Sequence, residues 1–237
     1  EKSFSVAELS KLLQLPPSTI HRILQTYCSK NYVIKDERTH LYQLGPALIS
    51  LGMAATHNAK LQNIAPTVLK KLSKNTGEDA FLVILAGFKG FVLDKVEGPN
   101  NLKVIEKFGY EVDLHCGAIR KALLAYQPEA FIDNYIKSGL KNYINHNPVD
   151  SHQLIDDLSQ IRKDGIAVSC GEYIDGAVGI GAPVFGSQGK ITASMGIIAP
   201  ASRVDEETLK LLKRNVKECS KELSYYLGYW EPEIDNN

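Results

Sequence analysis

No two cysteines in this chain lie close in sequence. Cys28, Cys116, Cys170 and Cys219 are scattered over 237 residues, with no CxxC pair and no Cys/His spacing of a metal knuckle. That excludes a zinc ribbon, a dithiol redox couple and a disulfide-stapled scaffold. Long apolar runs are missing too. "AFLVILAGF" (80–88) is among the longer ones and is far too short to span a bilayer as a helix. No signal peptide is visible. No dinucleotide fingerprint is present either, because the glycines of "GAVGIGAP" (176–183) run into a strand rather than a helix. Their expected role is close backbone packing. No metal and no cofactor is expected. These absences are read together as a reduced, soluble, cytoplasmic protein with no membrane contact.

Net charge is also absent, but only as a sum. Residues 1–60 hold seven Lys/Arg against four Asp/Glu, and the rest of the chain holds 20 against 23. The N-terminal end is therefore mildly basic, which permits an anionic partner there without demanding one.

The first 45 residues carry more information. In "FSVAELSKLL" (4–13), Ser5 stands three residues before Glu8, the spacing of a capping box. Val6, Leu9, Leu12 and Leu13 then recur at helical intervals. "LQLPPST" breaks the helix. Pro17 suits the first turn of a second helix, because it has no N–H to leave unpaired. Ile20, Ile23, Leu24 and Tyr27 give that helix an apolar face. Ser18, Thr19, His21, Arg22 and Gln25 fall largely on its other side. "NYVIKD" (31–36) and "HLYQLG" (40–45) alternate apolar and polar residues around "ERT", which reads as a β-hairpin. Two short helices and a hairpin make a winged helix-turn-helix. A solvated helical hairpin would explain the helices but not the wing, the basicity and the polar first turn together.

In such a unit the start of the second helix meets DNA. Its free N–H groups and dipole favour a phosphate. The expected DNA-contacting residues are Pro17, Ser18, Thr19, His21, Arg22 and Gln25, with Lys35 and Arg38 of the wing on the backbone. Winged helices usually carry a further helix before the capping-box helix, so the sequence is expected to lack its true N-terminus.

"PALISLGMAATHNAKLQNIAPTVLKKLSKNTG" (46–77) reads as two helical stretches with no Gly/Ser linker, Pro66 beginning or kinking the second. Residues 1–57 are taken as the DNA-binding domain with the start of the linker helix, and 58–237 as a second domain. There the pattern is α+β. "DAFLVILAG" and "GFVLDKVEG" form a hairpin, and "LKVIEKF" (102–108) adds a strand. "GAIRKALLAYQ" (117–127) is a helix with apolar Ile119, Ala122, Leu123 and Tyr126; Arg120 is expected on its solvated face, the alternative being an inward turn that pairs it with a ligand carboxylate. Two more helices follow. "VGIGAPVFG" and "KITASMGIIAP" are buried strands, and a long helix closes the chain.

"SVAELSKLLQLPPSTIHRILQTYCSKNYVIKDERTHLYQLGPALISLG" resembles the N-terminal domain of the IclR family of bacterial transcription regulators. "LHCGAIRKALLAYQP" and "IRKDGIAVSCGEYIDGAVGIGAPVFGSQGKITASMGIIAP" resemble the family's effector-binding domain, with Arg120 where the family usually has Gly. The resemblance covers nearly the whole chain. It implies a GAF-like α+β sensor domain binding a small organic acid, and a homodimer or tetramer on a pseudo-palindromic duplex operator. It places an effector pocket at Gly117, Ala118, Ser169, Gly179, Gly196 and Ile198; the free N–H groups and dipole at the start of the 117–127 helix make Gly117–Ile119 the expected seat of the ligand's acidic group. Relatives that bind small acids carry hydroxyl residues where Gly196 and Ile198 stand, and Asp and Cys where Ser169 and Gly179 stand. A roomier, more apolar pocket is expected here. The alternative is a thiol-dependent enzyme using Cys170 beside His115. Glu172 is expected to orient pocket backbone rather than act as a base.

Overall fold

The computed structural model describes residues 3–55, 59–101, 103–104, 111–141 and 149–230. The chain divides into two compact units, residues 1–59 and 60–237.

The first unit is the winged helix-turn-helix. Helix α1 (Val6–Leu13) opens with the expected box. The Glu8 N–H donates to Ser5 Oγ at 3.2 Å, and the Ser5 N–H donates to the Glu8 carboxylate at 2.7 Å. These bonds hold the Glu8 carboxyl below its ordinary pKa. A left-handed Gln14 ends the helix. Helix α2 (Pro17–Ser29) starts on Pro16 and Pro17. Strands β1 (Val33–Lys35) and β2 (Tyr42–Leu44) pair antiparallel, and Phe4 bridges to Tyr42 on the free edge. Asp36 shapes the wing tip by accepting the N–H groups of Arg38 and Thr39 at 2.8 and 2.9 Å. Helix α3 (Ala47–Ala55) follows.

The core of this unit is Ile20, Leu24 and Tyr42, with Val6, Leu9, Cys28 and Val33 against it. It is narrower than the apolar spacing implied. Ile20, Leu24 and Cys28 run at four-residue steps. Ile23 (39% exposed) and Tyr27 (48%) lie on the flanking row, a third of a turn round. Leu12 and Leu13, at the end of α1, are also exposed.

The second unit opens with α4 (Ala59–Thr76), which contains Pro66 in its interior rather than at its start. A six-stranded antiparallel sheet follows, in the order β5-β4-β3-β8-β7-β6. Its strands are β3 (Asp79–Ala86), β4 (Lys89–Val96), β5 (Glu111–Asp113), β6 (Ala167–Cys170), β7 (Ala177–Phe185) and β8 (Ile191–Pro200). The helices are α5 (Ala118–Leu124), α6 (Glu129–Lys137), α7 (Ser151–Asp164) and α8 (Glu206–Tyr226). The expected strand over 102–108 falls largely outside the described residues; Lys103 and Val104, which are described, belong to no strand.

Period-two alternation assigns each strand residue to a face. Ala80 and Leu82 of β3, with Ile180, Ala182, Met195 and Ile197, pack against α4 and α8. Phe81 and Val83 pack against α5, α6 and α7. The sheet is therefore covered by helices on both sides. Gly181 explains how α5 comes so close. A Cβ there would lie 2.4 Å from Ile119 Cα, so only a glycine lets the helix backbone rest on β7.

Candidate functional site

In the first unit, the expected DNA-contacting side chains form an accessible surface. Pro17, Ser18, His21, Arg22, Gln25 and Arg38 are exposed, and Thr19 and Lys35 are half-buried. The structure corrects the expectation of several free N–H groups at the start of α2. Pro16 and Pro17 have none. The N–H groups of Thr19 and Ile20 both donate to the Pro16 carbonyl, at 2.9 and 3.1 Å. Ser18 is left as the one N–H donor of the first turn, beside its own hydroxyl. Lys35 lies 3.7 Å from the exposed Glu37 carboxylate, a weak and screened pairing.

In the second unit, the start of α5, the β6–β7 edge and the turn after β6 enclose a small cavity. It is lined by Gly117, Ala118, Ile119 and Arg120, by Ser169 and Gly179, by Glu172, Tyr173, Ile174 and Ala177, and by Ile198. Six of the seven expected effector-pocket residues meet there. Gly196 does not. A Cβ on it would lie 2.0 Å from the Ile180 carbonyl and 2.8 Å from the Ile119 side chain, so it marks close packing within the sheet and against α5, not pocket space.

Among the described residues the cavity is also not the roomy pocket expected from the glycines. The cavity measures about 30 Å³, room for roughly one water. Gly179 is what lets its cross-strand partner Ser169 turn inward, since a Cβ would meet the Ser169 hydroxyl oxygen at 2.7 Å. That oxygen in turn accepts the Ala118 N–H at 3.0 Å. One of the donors expected to hold a ligand's acid is thus already committed.

The largest departure is Arg120. It is 3% exposed, not on a solvated face. All seven residues of α5 are buried. The Arg120 stem runs over Gly90 of the sheet, where a Cβ would touch its Cγ at 3.0 Å. Its guanidinium donates to the Cys116 carbonyl at 3.3 Å and lies 5.1 Å from the centre of the Tyr173 ring. The neighbouring cation, Lys121, has a different fate. It pairs with Glu172 at 2.7 Å and with Asp157 at 3.2 Å. Glu172 therefore neutralises a buried lysine instead of orienting backbone. Of the lining residues, sequence reasoning does not single out Tyr173, places Glu172 at the pocket in another role, and sets Arg120 on the solvated face with an inward turn as the alternative. A signal did exist: a helix apolar at Ile119, Ala122, Leu123 and Leu124 is apolar nearly all round, so its polar residues are buried with it.

The turn leading into α5 is held by His115. Its Nε2 faces the Lys141 carbonyl at 2.7 Å, and a carbonyl only accepts, so Nε2 carries the proton. Nδ1 then accepts from the Tyr135 hydroxyl at 2.5 Å. Burial pushes the imidazole pKa down and keeps it neutral. Burial also pushes the adjacent Cys116 thiol up to about 12. Cys170 is exposed at the end of the edge strand β6 and does not line the cavity. Among the described residues no His, Cys, Asp and Glu side chains cluster as a metal site would require, and no helix is long and apolar enough to cross a membrane.

Comparison with known proteins agrees with this architecture. The HTH-type transcriptional regulator BhcR of Paracoccus denitrificans is 29% identical over 222 residues, covering 93% of this chain and 80% of the relative. An IclR transcriptional regulator from Alicyclobacillus acidocaldarius superposes with a TM-score of 0.83 at 25% identity, covering 95% of this chain and 91% of that one. An IclR homologue from Microbacterium hydrocarbonoxydans, solved with 4-hydroxybenzoate, shares the fold at a TM-score of 0.80 and 17% identity, over 94% of this chain and 92% of that one. The family description "Bacterial transcriptional regulator IclR C-terminal" matches residues 53–225. With a helix-turn-helix unit ahead of that matched region, the chain belongs to the IclR family of bacterial transcriptional regulators.

Proposed function

We propose that this chain is a cytoplasmic regulator whose N-terminal unit, residues 1–57, binds an operator, and whose unit 58–237 senses an organic acid that alters that binding. In this reading Ser18, Thr19, His21, Arg22 and Gln25 face the major groove from α2, with Pro17 setting the entry angle. Lys35 and Arg38 follow the phosphates from the wing. One short helix reads too few base pairs for genomic specificity, so the chain acts as a homodimer or tetramer on a pseudo-palindromic site.

The observation that carries the sensing half is the buried Arg120 lining the cavity. A cation placed there is a partner for a carboxylate, and Arg is suited to bidentate pairing. The acid meets Arg120 in place of the expected α5 N–H groups, with Ala118, Gly179 and Ile198 against its body. Room for one water means that Arg120 or Tyr173 moves when the acid enters. The bound 4-hydroxybenzoate of the structural neighbour supports an acid of this class. Catalysis forms no part of the reading: the Cys116 thiol is held protonated, and Cys170 stands away from the cavity.

The test is selection of the full chain on a random duplex pool, followed by mobility-shift titration with and without benzoate. The expected result is a pseudo-palindromic consensus, with Arg22→Ala costing about 1–3 kcal/mol and Lys35→Ala or Arg38→Ala weakening all sequences alike and flattening the salt slope. No consensus, or three variants that bind as the parent does, would remove the DNA assignment.

A further inference from the structure

The second unit holds another, far larger recess, which no part of the regulatory reading uses. It lies between the end of α7, the β7–β8 hairpin and the end of α8, and encloses about 700 Å³. That is within the range of small-molecule sites, roughly 300–1,000 Å³.

Two chemistries meet in its walls. The first is aromatic. Tyr126 stands edge-on to Phe185 at 5.1 Å, and Phe185 lies 5.0 Å from Tyr229. Tyr225 and Trp230, 5.0 Å apart, line the same recess while remaining 54% and 72% exposed. Large aromatic surface left in water around a concavity marks a contact surface. The second is cationic. Arg162 and Lys163 end α7, and Lys217 and Lys221 stand four residues apart on one face of α8. Asp164 is the single acid among the described lining residues. Among the described residues no ion pair involves Lys163 or Lys217.

The floor is fixed. The Ser220 hydroxyl donates to the Pro183 carbonyl. The Ser224 hydroxyl donates to the Ser220 carbonyl at 2.8 Å and accepts the Phe185 N–H at 3.0 Å. Arg162 Nε donates to the Ala125 carbonyl, which anchors that side chain at the rim.

We infer that this recess binds an aromatic ring system bearing a negative charge, the ring stacked among Phe185, Tyr229 and Trp230 and the anion held by Lys163 and Lys217. Ring faces attract planar π-systems and the lysines select the anion, so neither a neutral ring nor a bare anion suffices. A nucleoside phosphate and a polycyclic aryl carboxylate share this chemistry.

Trp230 is the only tryptophan of the chain, so its emission reports on this recess. The full chain is titrated with 2-naphthoate and with adenosine 5′-monophosphate. Naphthalene-2-methanol and inorganic phosphate serve as the ringed neutral and the ringless anion. The expected result is saturable quenching by at least one of the two aromatic anions, the tighter one identifying the source, and none by the controls. Calorimetry should return the same Kd. Lys163→Gln with Lys217→Gln should raise it at least tenfold with circular dichroism unchanged, while Arg120→Ala leaves it alone. The inference is overturned if neither aromatic anion binds, if the neutral alcohol binds equally well, or if the double lysine variant is without effect. It is also overturned if Arg120→Ala abolishes the signal, or if sedimentation shows that quenching tracks self-association.

Discussion

Replacing Arg120 by alanine separates an anion receptor from a filled core. The stability of the ligand-free protein will not decide it. The change gives up the buried stem, about 0.8 kcal/mol per methylene, and the contact with Tyr173, about 0.5–2 kcal/mol. It also relieves the cost of holding a cation out of water, several kcal/mol for a buried charge. These contributions oppose one another, and the hydrogen bond to the Cys116 carbonyl is lost with the side chain. Ligand response is the informative quantity. At a concentration 100 times its Kd, a ligand stabilises by about 2.7 kcal/mol. A unit of this size, residues 60–237, melts about 2–4 °C higher per kcal/mol, so the parent protein should shift by about 5–11 °C. Losing a charge-assisted bond costs about 1.5–3 kcal/mol, at least a tenfold weaker Kd. At the same concentration the variant's stabilisation then falls to about 1.4 kcal/mol or less. Six heavy atoms also leave the cavity. Added to the 30 Å³ already there, they open roughly 120 Å³, near the size that holds a single apolar ring. The assay is a thermal-shift series with benzoate, 4-hydroxybenzoate, pyruvate and benzyl alcohol on both proteins. The parent should respond to an acid, and Arg120→Ala should lose that response and gain one to benzyl alcohol. A variant that still answers the same acid as strongly as the parent refutes the pairing, and a parent deaf to all three acids refutes the acidic effector.

Three further outcomes are expected. Gly181→Ala should destabilise the protein by about 1–3 kcal/mol in urea titration, because the added methyl must push α5 off the sheet; an unchanged midpoint would contradict that close approach. The depressed pKa of His115 makes the unfolded chain bind more protons than the native one below about pH 6.5. Stability should therefore be fully present above that pH and decline as pH falls, and His115→Gln should show a shallower decline between pH 7 and 5 in thermal melts. Cys170→Ala should leave both operator binding and the acid-induced melting shift unchanged; turnover of any ester or amide substrate that disappears in this variant would reinstate a thiol enzyme.

Local rules were enough for the first unit. The capping box at Ser5 and Glu8, the prolines before α2 and the alternation on either side of Asp36 each name one element and its ends, and each acts within a few residues of chain. What spacing could not supply was the width of the buried stripe. Ile23 and Tyr27 fit an apolar face as well as Ile20 and Leu24 do, and only the crossing of neighbours decides which row is covered. The same holds for Pro66. A proline is legible as a break, yet α4 carries it inside, because the sheet packing of Leu61, Ala65, Val68, Leu69 and Leu72 spans it.

The pocket was harder, and its errors share one cause. Glycine in a strand is ambiguous between empty space and close approach, and the two have opposite consequences for a ligand. Gly179, Gly181 and Gly196 all proved to be sites of approach: to Ser169, to the α5 backbone, and to both the Ile180 carbonyl and the Ile119 side chain. Once α5 lies that close to the sheet, a long side chain on its inner row has no route to solvent. Gly181, expected as a site of close backbone packing, brings α5 onto the sheet and so holds Arg120 inside, while Gly179 and Gly196, read as pocket room, turn out to be sites of approach as well. Lys121, one position on, meets Glu172 and Asp157, from the turn after β6 and from α7. The two adjacent cations have different neighbours: Lys121 meets a pair of carboxylates, and Arg120 meets the Cys116 carbonyl and the Tyr173 ring at the cavity wall. Selectivity for an acid would then come from helix-to-sheet distance as much as from the identity of any lining residue.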